Sequence, residues 1–149
     1  MKNVREILKS KGTQVYSISP DSSVYEALQL MSEKGIGALL VIEGEEVVGI
    51  LSERDYARKV ILVGKTSKET LVKEIMSTKV MYVNSDVSTE ECMALMITKR
   101  IRHLPVIDNG KLTGLISIGD VVKAVIDEKE FVIDQLVRYI TDAPTLSQK

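Results

Sequence analysis

The chain repeats itself. Asp21 and Asp86 stand 65 positions apart, and the same offset pairs Met31 with Met96, Lys34 with Lys99, Leu39 with Leu104, Val41 with Val106, Gly49 with Gly114, Ser52 with Ser117 and Asp55 with Asp120. Across residues 16–55 and 81–120, 13 of 40 aligned positions are identical, where unrelated segments of ordinary composition share about two or three. The chain is therefore two copies of one unit, with residues 1–15 before the first copy, 62–80 between them and 121–149 after the second. A unit of about 40 residues rarely closes a core alone, so the copies are expected to pack against each other around a pseudo-two-fold axis. The linear division is 1–62, the first repeat with its lead-in, and 63–149, the linker, second repeat and C-terminal segment.

Each copy carries the same order of signals. Tyr16 to Ile18 and Met81 to Val83 are short apolar runs that fit an entry strand. Val24, Ala27, Leu28 and Met31 recur at helical spacing behind the capping residues Asp21 and Ser22, and Thr89, Cys92, Met93 and Met96 repeat that stripe. Ala38 to Ile42 and Leu104 to Ile107 are too short for a helix and rich in branched residues. They lead through Glu43-Gly44-Glu45 or Asp108-Asn109-Gly110 into a second strand, and Asn-Gly is a strong hairpin signal. Ser52 and Ser117 then open another helix. The expected fold is mixed α/β, two β-α-β-β-α repeats, with a long last helix from Gly119 to about Ile140 and a frayed tail from Thr141.

Composition narrows the function. The 149 residues carry 20 basic and 21 acidic side chains, a net charge of −1, which argues against a nucleic-acid partner. No apolar run approaches the roughly 18 residues of a membrane span, and the polar N-terminus lacks the apolar stretch of a secretory signal, so a cytoplasmic protein without a membrane partner is expected. One cysteine and one histidine cannot supply a disulfide or a Cys-rich zinc site and make nucleophile–base triads hard to assemble. No Gly-rich phosphate loop, paired-histidine metal motif or nucleophile elbow is present. The expectation is a protein that is not an enzyme and needs no catalytic cofactor or metal.

The most informative doublet is Gly49-Ile50-Leu51-Ser52-Glu53-Arg54-Asp55 and Gly114-Leu115-Ile116-Ser117-Ile118-Gly119-Asp120: glycine, two apolar residues, serine, two residues, aspartate. Serine at N-cap with an acid three residues on caps a helix, worth about 1 kcal/mol. The same carboxylate, at a strand-to-helix corner, can also accept hydrogen bonds from a ribose diol, and the helix start beside it suits a phosphate. Taken alone the residues leave both readings open. Cys92, on the apolar helical stripe, reads as a buried structural thiol.

The doublet, with Ile101-Arg102-His103-Leu104-Pro105-Val106-Ile107-Asp108 and Val15-Tyr16-Ser17-Ile18-Ser19-Pro20-Asp21, resembles a tandem pair of cystathionine β-synthase (CBS) domains over roughly residues 5–128, a Bateman module standing alone. The resemblance implies two clefts between the repeats that take an adenosine-containing ligand, such as AMP, ADP, ATP, NAD(H) or S-adenosylmethionine, as a regulatory ligand. It implies a homodimer and an unidentified target protein that reads occupancy. It puts Asp55 and Asp120 on the ribose hydroxyls and Ser52 and Ser117 on ribose or phosphate, with Arg54 near the first helix start. Adenine would lie against Ile36, Gly37 and Ala38, or Ile101, Arg102 and His103 with Pro105 behind them, and against Tyr16, Val80 and Met81. Arg102 and His103 match positions where basic residues meet phosphate; Gly37 and Ala38 replace them in the first copy, so the two clefts are expected to differ. The lead-ins also differ. Ile7-Leu8 aligns with Ile75-Met76 at offset 68, so the first carries three extra residues, which detaches Lys11, Gly12 and Thr13 from the pattern. The competing expectation is a ligand-independent dimeric interaction module whose clefts are filled by Tyr16, Met81 and Tyr82.

Overall fold

The computed structural model describes residues 2–142. The elements run α1 (Val4–Lys11), β1 (Ser17–Ile18), α2 (Val24–Lys34), β2 (Ala38–Glu43), β3 (Glu46–Ser52), α3 (Glu53–Lys59), a 3₁₀ turn (Ile61–Val63), α4 (Val72–Ile75), α5 (Thr89–Lys99), β4 (His103–Asp108), β5 (Lys111–Ser117) and α6 (Ile118–Asp142). The mixed α/β architecture and the long last helix are as expected; α6 takes in Thr141 and Asp142, and the rest of the anticipated tail lies outside the described residues. Packing divides the chain into two compact units. One is Gln14–Met81; the other joins the first 13 residues to those from Tyr82 onward. This cuts across the linear division at 62/63.

In the first-repeat unit, β1 pairs parallel with β2, and β2 pairs antiparallel with β3. Ser23 caps α2 and trades hydrogen bonds with Glu26, and Gly35 ends the helix in the left-handed conformation, φ 64°. Val24, Ala27 and Met31 face Leu39, Val41 and Leu51 across the core. In the second-repeat unit Ser88 caps α5, and Cys92 and Met96 pack against Leu104, Val106 and Ile116. Asn109 and Gly110 turn the β4–β5 hairpin at φ 52° and 77°, the positive pair that a type I′ turn requires. Both hairpins carry a bulge at the matching place, Val41/Ile42 and Val106/Ile107.

The entry strands differ. Ser17–Ile18 is a strand, whereas Met81–Val83, expected as its counterpart, makes only a single parallel bridge, Val83 to Val106. Val83 donates to the Pro105 carbonyl at 3.1 Å and accepts from Ile107 at 2.9 Å. Pro105 has no N–H to return, so the ladder stops there.

The segments before each repeat carry the other departure from the sequence reading. Residues 62–80 do more than link: Val72 and Ile75 of α4 are buried in the first-repeat core, with Met76 packed beside them. The equivalent of α4 at offset 68 is α1, and α1 packs not on the repeat it precedes but on the second, with Val4, Ile7 and Leu8 buried beside Val83, Val106 and Val121. The two dockings match bond for bond. Val72 N donates to Ser22 O and Val4 N to Val87 O; Val24 N donates to Thr70 O and Thr89 N to Lys2 O. Lys73 pairs with Asp21 at 3.0 Å and Arg5 with Asp86 at 2.7 Å. Each repeat is thus completed by the helix that leads into the other.

That docking explains the repeated glycines. A Cβ on Gly114 would stand 2.6 Å from Leu8 Cδ2, and one on Gly49 would stand 2.6 Å from Met76 Sδ. Both glycines sit in the second hairpin strand because a lead-in side chain lies directly on the backbone there.

Candidate functional site

Each unit turns from strand into helix at its Ser-x-x-Asp motif. At the first corner Ser52 ends β3 and caps α3: Asp55 N donates to Ser52 Oγ at 3.2 Å, and Ser52 N and Oγ both donate to Asp55 Oδ2, at 2.9 and 3.0 Å. At the second, Asp120 N donates to Ser117 Oγ at 3.2 Å and Ser117 N donates to Asp120 Oδ2 at 2.8 Å. A capping box holds each carboxylate in a fixed orientation at a helix start. Both aspartates remain partly exposed, so each corner presents a pre-oriented acceptor to solvent.

The preceding strand delivers the rest. Ala38 pairs with Ser52 and His103 with Ser117 across their hairpins. Glu53 N donates to Gly37 O at 3.0 Å, and Ile118 N donates to Arg102 O at 2.8 Å. Ser52, Asp55, Gly37 and Ala38 therefore form one corner with Ile36 at its edge, and Ser117, Asp120, Arg102 and His103 form the other with Ile101 at its edge. Pro105 is buried two residues further along β4, within the sheet rather than at the corner. Tyr16 is half-buried against the first core, with the Lys34 ammonium 5.2 Å from its ring centre. Arg54 is exposed beside Asp55 in sequence. Val80 is half-buried and Met81 is 37% exposed; no hydrogen bond among the described residues ties either to a corner.

The corners differ in charge. Beside Gly37 the first carries Glu53, whose Oε1 would lie 3.3 Å from a Cβ at that glycine, and among the described residues the one ion pair of Asp55 is with Lys59 of its own helix, at 3.5 Å. The second has Arg102, His103 and Lys11. Lys11, the last residue of α1, places its Nζ 2.5 Å from Asp120 Oδ2 and 2.8 Å from Leu115 O. Burial raises the Asp120 carboxyl, but the Lys11 ammonium and the Ser117 hydrogen bonds outweigh it and hold the group below its ordinary value. Burial, then the Lys11 charge, lowers His103, so the ring is neutral at pH 7. The sequence pattern misses Lys11, which lies before three inserted residues and 109 positions from its partner; the residue aligned with it at offset 68, Lys79, is not the cation paired with Asp55. Among the described residues no group of His, Cys, Asp and Glu is placed to hold a metal ion, and no helix is long and apolar enough to cross a membrane.

Comparison with known proteins points one way. The family profile described as "CBS domain" matches residues 4–62 and 72–127. A solved structure from Burkholderia ambifaria MC40-6, described as a candidate signal-transduction protein with CBS domains, is 50% identical and superposes with a TM-score of 0.82 over 98% of this chain and all of that one. A CBS domain-containing mitochondrial protein of Arabidopsis thaliana, CBSX3, is 38% identical over 146 residues, which is 92% of this chain and 71% of that protein. A hexameric CBS-CP12 protein from bloom-forming cyanobacteria is 33% identical, with a TM-score of 0.72 over 80% of this chain and 66% of that one.

Proposed function

The chain belongs to the CBS-domain family, whose members are generally regulatory or signal-transduction modules and typically not enzymes, and from that premise we propose that it senses an adenosine-containing nucleotide at its two Ser-x-x-Asp corners and relays occupancy to a partner protein. The observation that carries this reading is the pair of corners themselves. Each holds a carboxylate in a capping box at a helix start, which is the acceptor a ribose diol needs, and the second adds the cations Lys11 and Arg102 and the neutral His103 ring as donors for phosphate. AMP, ADP, ATP, NAD(H) and S-adenosylmethionine all carry the adenosine. The ligand works as a regulator, so a change in packing is driven only by its different affinity for two states of the protein. A single buried thiol fits the reducing cytoplasm.

A thermal-shift series with AMP, ADP, ATP, NAD, NADH and S-adenosylmethionine tests the reading. Ligand at a hundred times its dissociation constant adds about 2.7 kcal/mol, or roughly 5–10 °C for a domain of this size. A shift with some of these ligands is expected; a flat series on ligand-free protein overturns the proposal.

One observation favours the alternative, a dimeric interaction module independent of ligand. Along α6, Val122, Ile126, Ile133 and Leu136 are 38–59% exposed, at spacings that follow one helical face. We read this stripe as the surface for a homodimer, which the sensor reading also accommodates; a flat thermal series together with a dimer in sedimentation would leave the interaction module standing alone.

A further inference from the structure

Of the two candidate ribose acceptors, one is already occupied by a cation brought from far along the chain. Lys11 reaches across 109 residues of sequence to Asp120, and a second hydrogen bond to Leu115 O seats the ammonium between the end of β5 and the start of α6. The pair is partly open, with side chains 34% and 26% exposed. An open pocket of about 200 Å³ borders it, lined by charges of both signs, Lys2, Lys11 and Lys123 with Glu6, Asp120 and Asp127. The ammonium can therefore leave without crossing the core.

We propose that Lys11 is a specificity-determining residue that makes the Asp120 corner select adenosine ligands carrying an anionic phosphate over neutral or cationic ones. The proposal rests on reading Asp120 as the ribose acceptor. A ribose diol that engages both carboxylate oxygens of Asp120 competes with Lys11 for Oδ2, which also accepts from Ser117 N, while Oδ1 accepts no hydrogen bond among the described residues. With a neutral nucleoside the displaced ammonium loses Asp120 and gains no charge from the ligand. With a nucleotide the phosphate on the same ribose replaces it, within the swing of the flexible four-carbon stem. The sulfonium of S-adenosylmethionine would add repulsion instead. Arg102 and the neutral ring of His103 supply further donors, but neither is hydrogen-bonded to Asp120 among the described residues. Among the described residues Asp55 forms an ion pair with Lys59 alone, at 3.5 Å and shared with the Ile75 carbonyl, and no such selection is expected there.

The test is calorimetric titration of the full chain with AMP and with adenosine, comparing the parent with Lys11→Met, Lys11→Arg and Asp120→Ala, each checked for its melting transition. In the parent, Asp120-dependent binding should favour AMP by about tenfold or more. In Lys11→Met, adenosine should tighten and AMP weaken, so that the ratio falls below about threefold, and Lys11→Arg should restore it. An AMP-to-adenosine ratio in Lys11→Met within about twofold of the parent, while Asp120→Ala still weakens AMP binding at that corner, overturns the role of Lys11 and leaves the site reading intact. If neither ligand binds the parent, or Asp120→Ala binds both like the parent, the ribose-acceptor reading falls and the role of Lys11 falls with it. Should Lys11→Met lose its cooperative melt, Lys11→Gln serves the same comparison.

Discussion

At the residue scale, the environment of each polar group at the second corner decides its charge. His103 is held neutral by burial and by the neighbouring Lys11 cation, below its ordinary value of 6.5. The unfolded chain then takes up a proton at higher pH than the folded one does. The histidine's contribution to stability is therefore full above about pH 6.5, declines as pH falls towards the folded-state value, and levels off below it. Denaturant melts at pH 7 and pH 5 should show a larger loss for the parent than for His103→Gln; equal losses would contradict the assignment. The motif residues themselves were readable from the sequence, because Ser and Asp at fixed spacing behind an apolar strand specify a capped helix wherever they fall. Lys11 was not, because its partner lies 109 positions away, and a local pattern carries no information about such a contact.

At the scale of elements, the main lesson concerns the lead-in helices. Periodicity placed α2, α5 and both hairpins, since each buries one face of a repeating pattern. The linear division put α1 with the first repeat, because a local apolar pattern at Val4, Ile7 and Leu8 does not say which core those residues enter. The matched bonds of α1 and α4 settle that assignment within each unit. The close approach of Leu8 to Gly114 gives a direct check. Gly114→Ala should cost about 1–3 kcal/mol by overpacking. Leu8→Ala should cost about 2–5 kcal/mol by opening a cavity. Because the new methyl occupies space the leucine vacates, the double variant should be more stable than the sum of the two losses predicts. Additive losses in chemical denaturation would mean that α1 does not lie on β5. The shortened entry strand at Met81–Val83 has a similarly local cause, the missing N–H of Pro105, which the repeat alignment passed over because Leu40 stands there in the first copy.

At the scale of the whole molecule, two near-copies of one fold present two similar corners with different charge. The duplication was readable as a repeat, and with it the mixed α/β class; the charge difference needed the structure, since Glu53 and Lys11 become corner residues only when β2, α3 and α1 are in place. On the proposed sensor reading, that difference would give the two corners inputs of unequal chemistry. The claim on which the rest depends is that Asp55 and Asp120 are the ribose acceptors. It is tested most directly by calorimetric titration of whichever adenosine ligand stabilises the parent, repeated on Asp55→Ala, Asp120→Ala and the double variant. Each single change should weaken binding at its own corner by about 1.5–3 kcal/mol, and the double variant should show that loss at both corners while still melting cooperatively. A folded double variant that binds as tightly as the parent would contradict the account.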